Sequence, residues 1–441
     1  MKVAFFFRNE GIKHIDCSSL EYGNPGIGGT HFVMLQVASY LSKGQNDIEI
    51  FLFVEAEQNL PKDLNVININ NEESLPENLV KNNIDILVVN KTTPESFSKK
   101  TITILKQVDV SVIVWAHVFM PVSFMNMLAK EPIIKLVIAV SKHQYYTYVD
   151  HPIFEKSTYI YNLCNFHNPV DLRSFEKKKN DVIYIGAINY IKGVHILLQQ
   201  SPKVRRRIPD ANLYIIGSGH LYSKSDQLGK FGIAEKYYEH LCLRKILNKD
   251  GSLNDSVHFL GVLGVEKWDY LSKAKVGIVN THYWETFGFT AIEMQLAAVP
   301  VVSYKSPGLL DTVCSKHSIL YERSTNLANY IIEVLRNNND KDNDVKIVQN
   351  KFNTEDNIEK WISTLLSIYN NSPLHQNIWD NELRFVNYQL INKKISRYIP
   401  FLPSLLVYHE LFLNFRRFLF NIAQPRKIIN KIRQYAQRKN N

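Results

Sequence analysis

The sequence predicts a two-domain α/β fold of doubly wound parallel sheets, and three observations predict it: the length, a regular alternation of short apolar runs with helical stretches, and a break in that alternation near the middle. At 441 residues the chain exceeds one ordinary core and suits two domains of roughly 150 to 200 residues. Its apolar fraction of 45% and charged fraction of 21% are those of a globular chain that packs. Apolar runs alternating with helices are the βαβ pattern of a Rossmann-like parallel sheet, whose ligands bind at the carboxyl ends of the strands.

In the first half the expected strands are KVAFFF, DIEIFLFV, DILVVN, VSVIVWAH and KLVIAV, with a helix over THFVMLQVASYLSKG and another opening near Ser141. The pattern falters over about 162–180, where NLCNFHNPVDLRSFEKKKN is polar, charged and interrupted by proline, a linker composition. A second set follows: DVIYIG, a helix near Gly193–Arg206, ANLYIIG, a helix before Asn248, SVHFLG, KVGIVN and PVVSY. The expected domains are 1–165 and 175–345, with a closing helix over 346–370 that carries Trp361, Leu365 and Ile368 on one face, and a tail over 371–441.

Charge is concentrated in that tail. From Asn371 onward there are twelve Lys and Arg against three Asp and Glu, so nine of the ten surplus positive charges lie there and the body is nearly neutral. Apolar and aromatic residues interleave with the basic ones in RYIPFLPSLLVYHELFLNFRRFLF and PRKIINKIRQYAQRK. Pro400, Pro403, His409, Glu410 and the Arg416-Arg417 pair oppose a spanning helix, and an interfacial helix on anionic lipid suits the composition. A docking arm for another protein and a helical cap on the body are the alternatives. The neutral body argues against nucleic acid as a partner.

Four cysteines without a C-x-x-C pair favour a reducing compartment over a disulfide framework or structural zinc site. Five apolar residues before Arg8 are too few for a signal-peptide core, so a cytoplasmic location is expected, peripheral on the inner membrane face if the tail binds lipid. The D-x-D triplet Asp340-Lys341-Asp342 lies in an asparagine-rich stretch away from any strand end, and no metal site is read from it.

The most informative segment is WETFGFTAIEMQLAAVPVVSYKSPG, from Trp284 to Gly308. Glu285 falls in the loop at the carboxyl end of KVGIVN, where open α/β sheets bind ligands. Gly288 and Phe289 lead into a helix whose free amides favour phosphate. Thr290 fits an N-cap, and Thr290-x-x-Glu293 then fits a capping box, which is the structural explanation of Glu293.

Glu285-Thr-Phe-Gly-Phe through Glu293, closed by Pro300-Val301-Val302 and Ser306-Pro307-Gly308, resembles the donor-site signature of family 4 glycosyltransferases, which have the GT-B fold: two such domains with a central cleft. The resemblance extends over about 1–370 and leaves the tail outside. It implies transfer of a sugar from a nucleotide-sugar donor to an acceptor hydroxyl with retention, no metal and no further cofactor. It also implies that Glu285 contacts donor-sugar hydroxyls, that Glu293 holds the ribose, and that amides around Phe287, Gly288 and Phe289 bind the diphosphate. Carboxylates suit paired hydroxyls, and helix-start amides suit phosphate.

Other marks follow in order. Pro25-Gly26-Ile27-Gly28-Gly29 resembles the family's N-terminal glycine loop, placing Gly28 and Gly29 at the diphosphate, and it does not match a dinucleotide G-x-G-x-x-G fingerprint. His117, at the end of VSVIVWAH, matches the histidine that faces the donor sugar. Gly186 to Gly193 resembles the segment in which an arginine and a lysine clamp the diphosphate: Lys192 is present, but Ala187 stands where the arginine usually is. One cation fewer at the leaving group costs about 2–4 kcal/mol of transition-state stabilisation unless another replaces it, so a silent, sugar-binding relative is the alternative reading. Gly217 matches the loop after the second strand of this half, and Gly261 with Val262 the segment that meets the base. A lipid-linked or surface polysaccharide precursor is the acceptor that the tail suggests.

Overall fold

The computed structural model describes residues 1–21, 24–44, 47–69, 71–91, 97–164, 179–219, 228–337, 342–372, 384–399 and 401–422. Two parallel sheets organise it. The first has seven strands in the order β3-β2-β1-β4-β5-β6-β7: β1 (Lys2–Phe7), β2 (Glu49–Val54), β3 (Asn65–Asn68), β4 (Ile86–Lys91), β5 (Ser111–Ala116), β6 (Ile134–Ala139) and β7 (Ser157–Tyr159). The second has six in the order β10-β9-β8-β11-β12-β13: β8 (Asp181–Ile185), β9 (Asn212–Ile216), β10 (Val257–Gly261), β11 (Val276–Ile278), β12 (Val301–Tyr304) and β13 (Ile319–Tyr321). All pairings between the strands of these two sheets are parallel.

The continuous apolar runs become strands because both faces of these sheets are covered, so no alternation with polar residues is needed. Phe5 and Phe7 of β1 join one core cluster, and Ala4 and Phe6 join the cluster on the other face. Each sheet reverses its strand order once, between β1 and β4 and between β8 and β11. Ligand crevices form at such switch points, beyond the strand carboxyl ends.

Strands β3, β7 and β13 add edges that the sequence reading did not contain. They are three or four residues long, and β3 (NVIN) is mostly exposed, so none produces an apolar run as long as those of the central strands. The expected linker falls largely on residues 165–178, which together with Asp340 and Lys341 lie outside the described residues.

The single run expected over 346–370 is broken at Phe352-Asn353. Helix Asp342–Lys351 ends there, and helix Thr354–Tyr369 starts with the Asn353 side chain accepting from the Asp356 amide at 3.2 Å. The second helix returns to the first lobe. Trp361 is fully buried, with its ring 4.7 Å from that of Trp115 and 6.1 Å from that of Phe5. One core cluster therefore runs from β1 through Trp361 to Phe287 and Ala291 of the second lobe.

The described tail forms helices Arg384–Ser396 and Leu406–Ile422, which pack against the first lobe. Asp150 holds them. Its carboxylate accepts from Gln389 Nε2 (2.7 Å), Asn392 Nδ2 (2.9 Å), Ser404 Oγ (2.7 Å) and the Leu405 amide (2.7 Å). Among the described residues, no helix is long and apolar enough to cross a membrane.

Candidate active site

The second-lobe half of the site straddles the switch point of its sheet. Lys192 follows β8, Glu285 follows β11, and the two side chains form an ion pair, only partly exposed, between the loops. The Asn189 side chain accepts from the Lys192 amide at 2.9 Å, and the Asn280 side chain accepts from the amides of His282 (3.2 Å) and Tyr283 (3.1 Å), bending each loop through local polar bonds. The Gly308 amide donates to the Glu285 carbonyl at 2.8 Å and fixes the far side.

Gly288 starts the following helix, Phe289–Leu296, with φ of +92°, a left-handed conformation natural to glycine. A Cβ there would come within 2.7 Å of Leu309 Cδ2 and 3.4 Å of Glu285 Cγ, so Glu285 folds over the helix start. Because Gly288 is the N-cap, Thr290 lies inside the helix and the expected capping box is absent. Glu293 instead sits a turn further on, nearly buried, with Oε1 2.6 Å from Lys267 Nζ. The reading of Glu293 as a cap partner is corrected: burial of a carboxylate demands a cation, and Lys267 supplies it. No pattern in the sequence marks Lys267 for this role.

The first lobe brings its glycine loop to the same place. Gly28 is the N-cap of helix Gly29–Lys43, and a Cβ on Gly29 would lie 3.4 Å from Phe289 Cδ2. Two helix starts, one from each lobe and neither capped by a side chain, thus meet across the cleft. Their free amides and dipoles make the junction favourable to an anion.

His117 lies at the end of β5, nearly buried, with its ring 4.6 Å from that of Trp115. Burial, aided by the nearby His31, lowers its pKa to about 3, so the ring is neutral at physiological pH. Among the described residues, Nε2 has no hydrogen-bond partner. A neutral imidazole with one unsatisfied nitrogen can take a single hydrogen bond from, or give one to, a ligand hydroxyl.

Gly186, Gly217 and Gly261 stand together at the ends of β8, β9 and β10. The Gly186 amide donates to the Ile216 carbonyl (3.0 Å) and the Gly217 amide to the Gly261 carbonyl (2.7 Å), and a Cβ on Gly217 would strike the Gly186 carbonyl at 1.9 Å. Val262 follows, exposed. Phe287 is buried against Phe289 and Phe352, which leaves its backbone as the part available to a ligand. Ala187 is buried as well, its carbonyl accepting from Tyr184 Oη at 3.1 Å.

The lobes are joined beside this site by bonds that sequence reasoning missed. Thr286 donates to the His117 carbonyl, and Ser141 donates to the Thr286 carbonyl, each at 2.7 Å. Buried Asp311 accepts from the His143 amide (2.8 Å) and from Tyr161 Oη (3.0 Å). The tail adds a strap: the His409 ring stacks on Trp284 at 3.8 Å, next to Glu285, while Glu410 accepts from the Val122 amide at the start of helix Val122–Lys130.

Residues 172–351 match the family model for Glycosyl transferases group 1. This group 1 domain covers the second lobe, where Lys192, Glu285 and Glu293 reside. An uncharacterised glycosyltransferase of Methanocaldococcus jannaschii is 27% identical over 155 residues, 35% of this chain and 33% of that one. A glycogen synthase of Mycobacterium tuberculosis is 29% identical over 134 residues, 30% of this chain and 28% of that one. The chain thus spans about a third of the length of these relatives. Among solved structures, that of Anabaena HepE in complex with UDP and glucose superposes with a TM-score of 0.58 at 17% identity, covering 83% of this chain and all of that one. The chain has the GT-B fold.

Proposed function

We propose that this protein is a retaining family 4 glycosyltransferase that moves a sugar from a nucleotide-sugar donor to an acceptor hydroxyl. One observation carries the reading: the Lys192–Glu285 pair at the switch point of the second sheet, beside a junction of two helix starts. Lys192 and the amides around Gly28, Gly29, Gly288 and Phe289 would stabilise the diphosphate as the glycosidic bond breaks. Glu285 and neutral His117 would orient the sugar hydroxyls, and Glu293, held by Lys267, the ribose. Gly186, Gly217, Gly261 and Val262 would frame the nucleoside. No metal is assigned a role.

The acceptor is proposed to be a lipid-linked or surface polysaccharide precursor met at the cytoplasmic membrane face, in keeping with the basic, aromatic tail. Ala187 favours a second reading, a sugar-nucleotide binder without turnover, since it removes a cation that the resemblance leads one to expect. UDP-glucose is the first donor to test, because a GT-B neighbour has been solved with it. A thermal shift with UDP-glucose, GDP-mannose and ADP-glucose, followed by nucleotide release, separates the readings. Stabilisation with turnover that is lost in Glu285→Ala supports the transferase; stabilisation without turnover under all acceptors supports the binder; no stabilisation by any nucleotide sugar refutes both.

A further inference from the structure

The tail helices carry apolar side chains on their outward as well as their inward faces. In helix Arg384–Ser396 the buried face carries Gln389 and Asn392, both bonded to Asp150, together with Val386. The opposite face, at spacings of three and four, presents Tyr388, Ile391, Ile395 and, just beyond the helix, Tyr398, all exposed. Helix Leu406–Ile422 repeats the arrangement: His409 and Glu410 turn inward to Trp284 and Val122, while Tyr408, Leu411 and Phe415 face outward. Phe401, between the helices, is 88% exposed. A helix facing water turns its polar residues out and its apolar ones in; these two bury Val386 and Leu406 in the first-lobe core and yet turn a second set of apolar side chains outward.

Contiguous apolar surface of this kind marks an interaction site. Its charge selects the occupant. Among the described side chains from 384 to 415, the exposed charged ones are Arg384, Lys394 and Arg397, all basic. Glu410, the one acidic residue in that span, is held at the Val122 amide. Aromatic and aliphatic side chains interleaved with Lys and Arg, with no exposed acid among them, complement an interface of acyl chains and anionic headgroups.

We propose that the outward faces of these two helices form a docking surface for an anionic lipid bilayer, with Asp150 bonding the inner face of the first helix and the residues just before the second so that the apolar stripes stay turned outward. The inference deepens the membrane-surface part of the function proposed above and rests on that reading for its purpose, while its readout needs no turnover. Docked in this way, the tail would set the Trp284–Glu285 loop beside the membrane through the His409 stack.

The test is sedimentation of the full chain with vesicles of phosphatidylcholine alone and of phosphatidylcholine mixed with phosphatidylglycerol. Binding is expected to the anionic vesicles only and to weaken with salt. Lys394→Ser with Arg397→Ser should weaken it roughly thirtyfold, at about 1 kcal/mol per basic residue near the surface. Tyr398→Ser with Phe401→Ser should weaken it at least tenfold, both pairs leaving the melting temperature and the thermal shift by UDP-glucose unchanged. Equal binding by wild type and both variants, or none by wild type, overturns the proposal. So does a wild-type dimer in light scattering that Tyr398→Ser with Phe401→Ser dissociates, which would make a second copy the occupant. Vesicle binding without any nucleotide-sugar binding would leave the lipid surface standing and refute the transferase reading alone.

Discussion

Thr286 Oγ1 donates a hydrogen bond to the His117 carbonyl oxygen at 2.7 Å, tying the second-lobe loop that carries Glu285 to the strand end of the first lobe. The Thr286 carbonyl accepts in turn from Ser141. Both bonds are buried, so Thr286→Val leaves an acceptor unsatisfied and should destabilise by about 1–3 kcal/mol. Because Thr286 belongs to both bonds, Thr286→Val and Ser141→Ala should combine non-additively in a double-mutant cycle read by thermal and urea melts. Additive losses would mean that the lobes are not latched at this point.

Lys192 and Glu285 form one functional unit in the proposed reaction. Lys192→Met should lower kcat/KM for the donor by about 10²- to 10³-fold, the scale of removing one preorganised cation from a developing anion, and Glu285→Gln should fall in the same range because it frees the Lys192 side chain and weakens the acceptor for the sugar hydroxyls. Since each loss disrupts the same ion pair, the double variant should be little worse than either single one. Initial rates of nucleotide release measure this, and multiplication of the two defects would show that the residues act separately.

Gly217 and Gly29 should respond to alanine in opposite ways. At Gly217 the backbone has φ of +144° and an added Cβ would overlap the Gly186 carbonyl, which belongs to the backbone and cannot swing aside. Gly217→Ala should cost more than about 3 kcal/mol and lower the melting temperature sharply. Gly29 begins a helix, and a Cβ there meets Phe289 at ordinary contact distance. Gly29→Ala should be tolerated or slightly stabilising, and a large loss at Gly29 would show that the lobes pack more tightly there than this contact implies.

Acid should weaken the fold through its buried histidines. Burial lowers the pKa of His117 to about 3, with a smaller contribution from His31, and that of His195 to about 4, with a smaller contribution from the Arg244 guanidinium. Below about pH 6.5 the unfolded chain takes up protons at these rings that the folded chain refuses, so stability is full above that pH and declines as pH falls toward the folded values. At pH 5 each ring contributes a loss of about 2 kcal/mol relative to pH 8. His117→Gln should flatten the acid side of a plot of melting temperature against pH. The same displacement means that His117 stays neutral across the working range, so an acid limb in donor turnover should survive in His117→Gln.

Much of the fold was legible because buried parallel strands are written as uninterrupted apolar runs. KVAFFF, VSVIVWAH and ANLYIIG each became a central strand. The edge strands β3, β7 and β13 escaped because short pairings at a sheet margin need little apolar surface. Local pattern put Glu285 in the loop after KVGIVN and Gly288 at a helix start, and both stand there in the structure, whereas Lys192 was marked only by the resemblance. For Glu293 only the capping-box explanation fails: its local spacing fits one, yet a left-handed Gly288 starts the helix earlier and leaves the acid to Lys267.

By itself, the sequence determined the two parallel-sheet lobes, the glycine turn beside Glu285 and the basic aromatic tail, since each depends on neighbours in the chain and on backbone propensities that act locally. Only the tertiary structure decided which charges pair and where the lobes latch. Lys192 and Glu285 are 93 residues apart, His117 and Thr286 are 169, and Asp150 and Leu405 are 255. It also decided that the tail meets Asp150 through Gln389 and Asn392 and leaves Tyr388, Ile391 and Ile395 exposed, an orientation that helical periodicity alone leaves undetermined. Burial makes each unpaired charge or carbonyl costly, and packing selects the distant partner that satisfies it, so these relationships arise when the chain closes on itself.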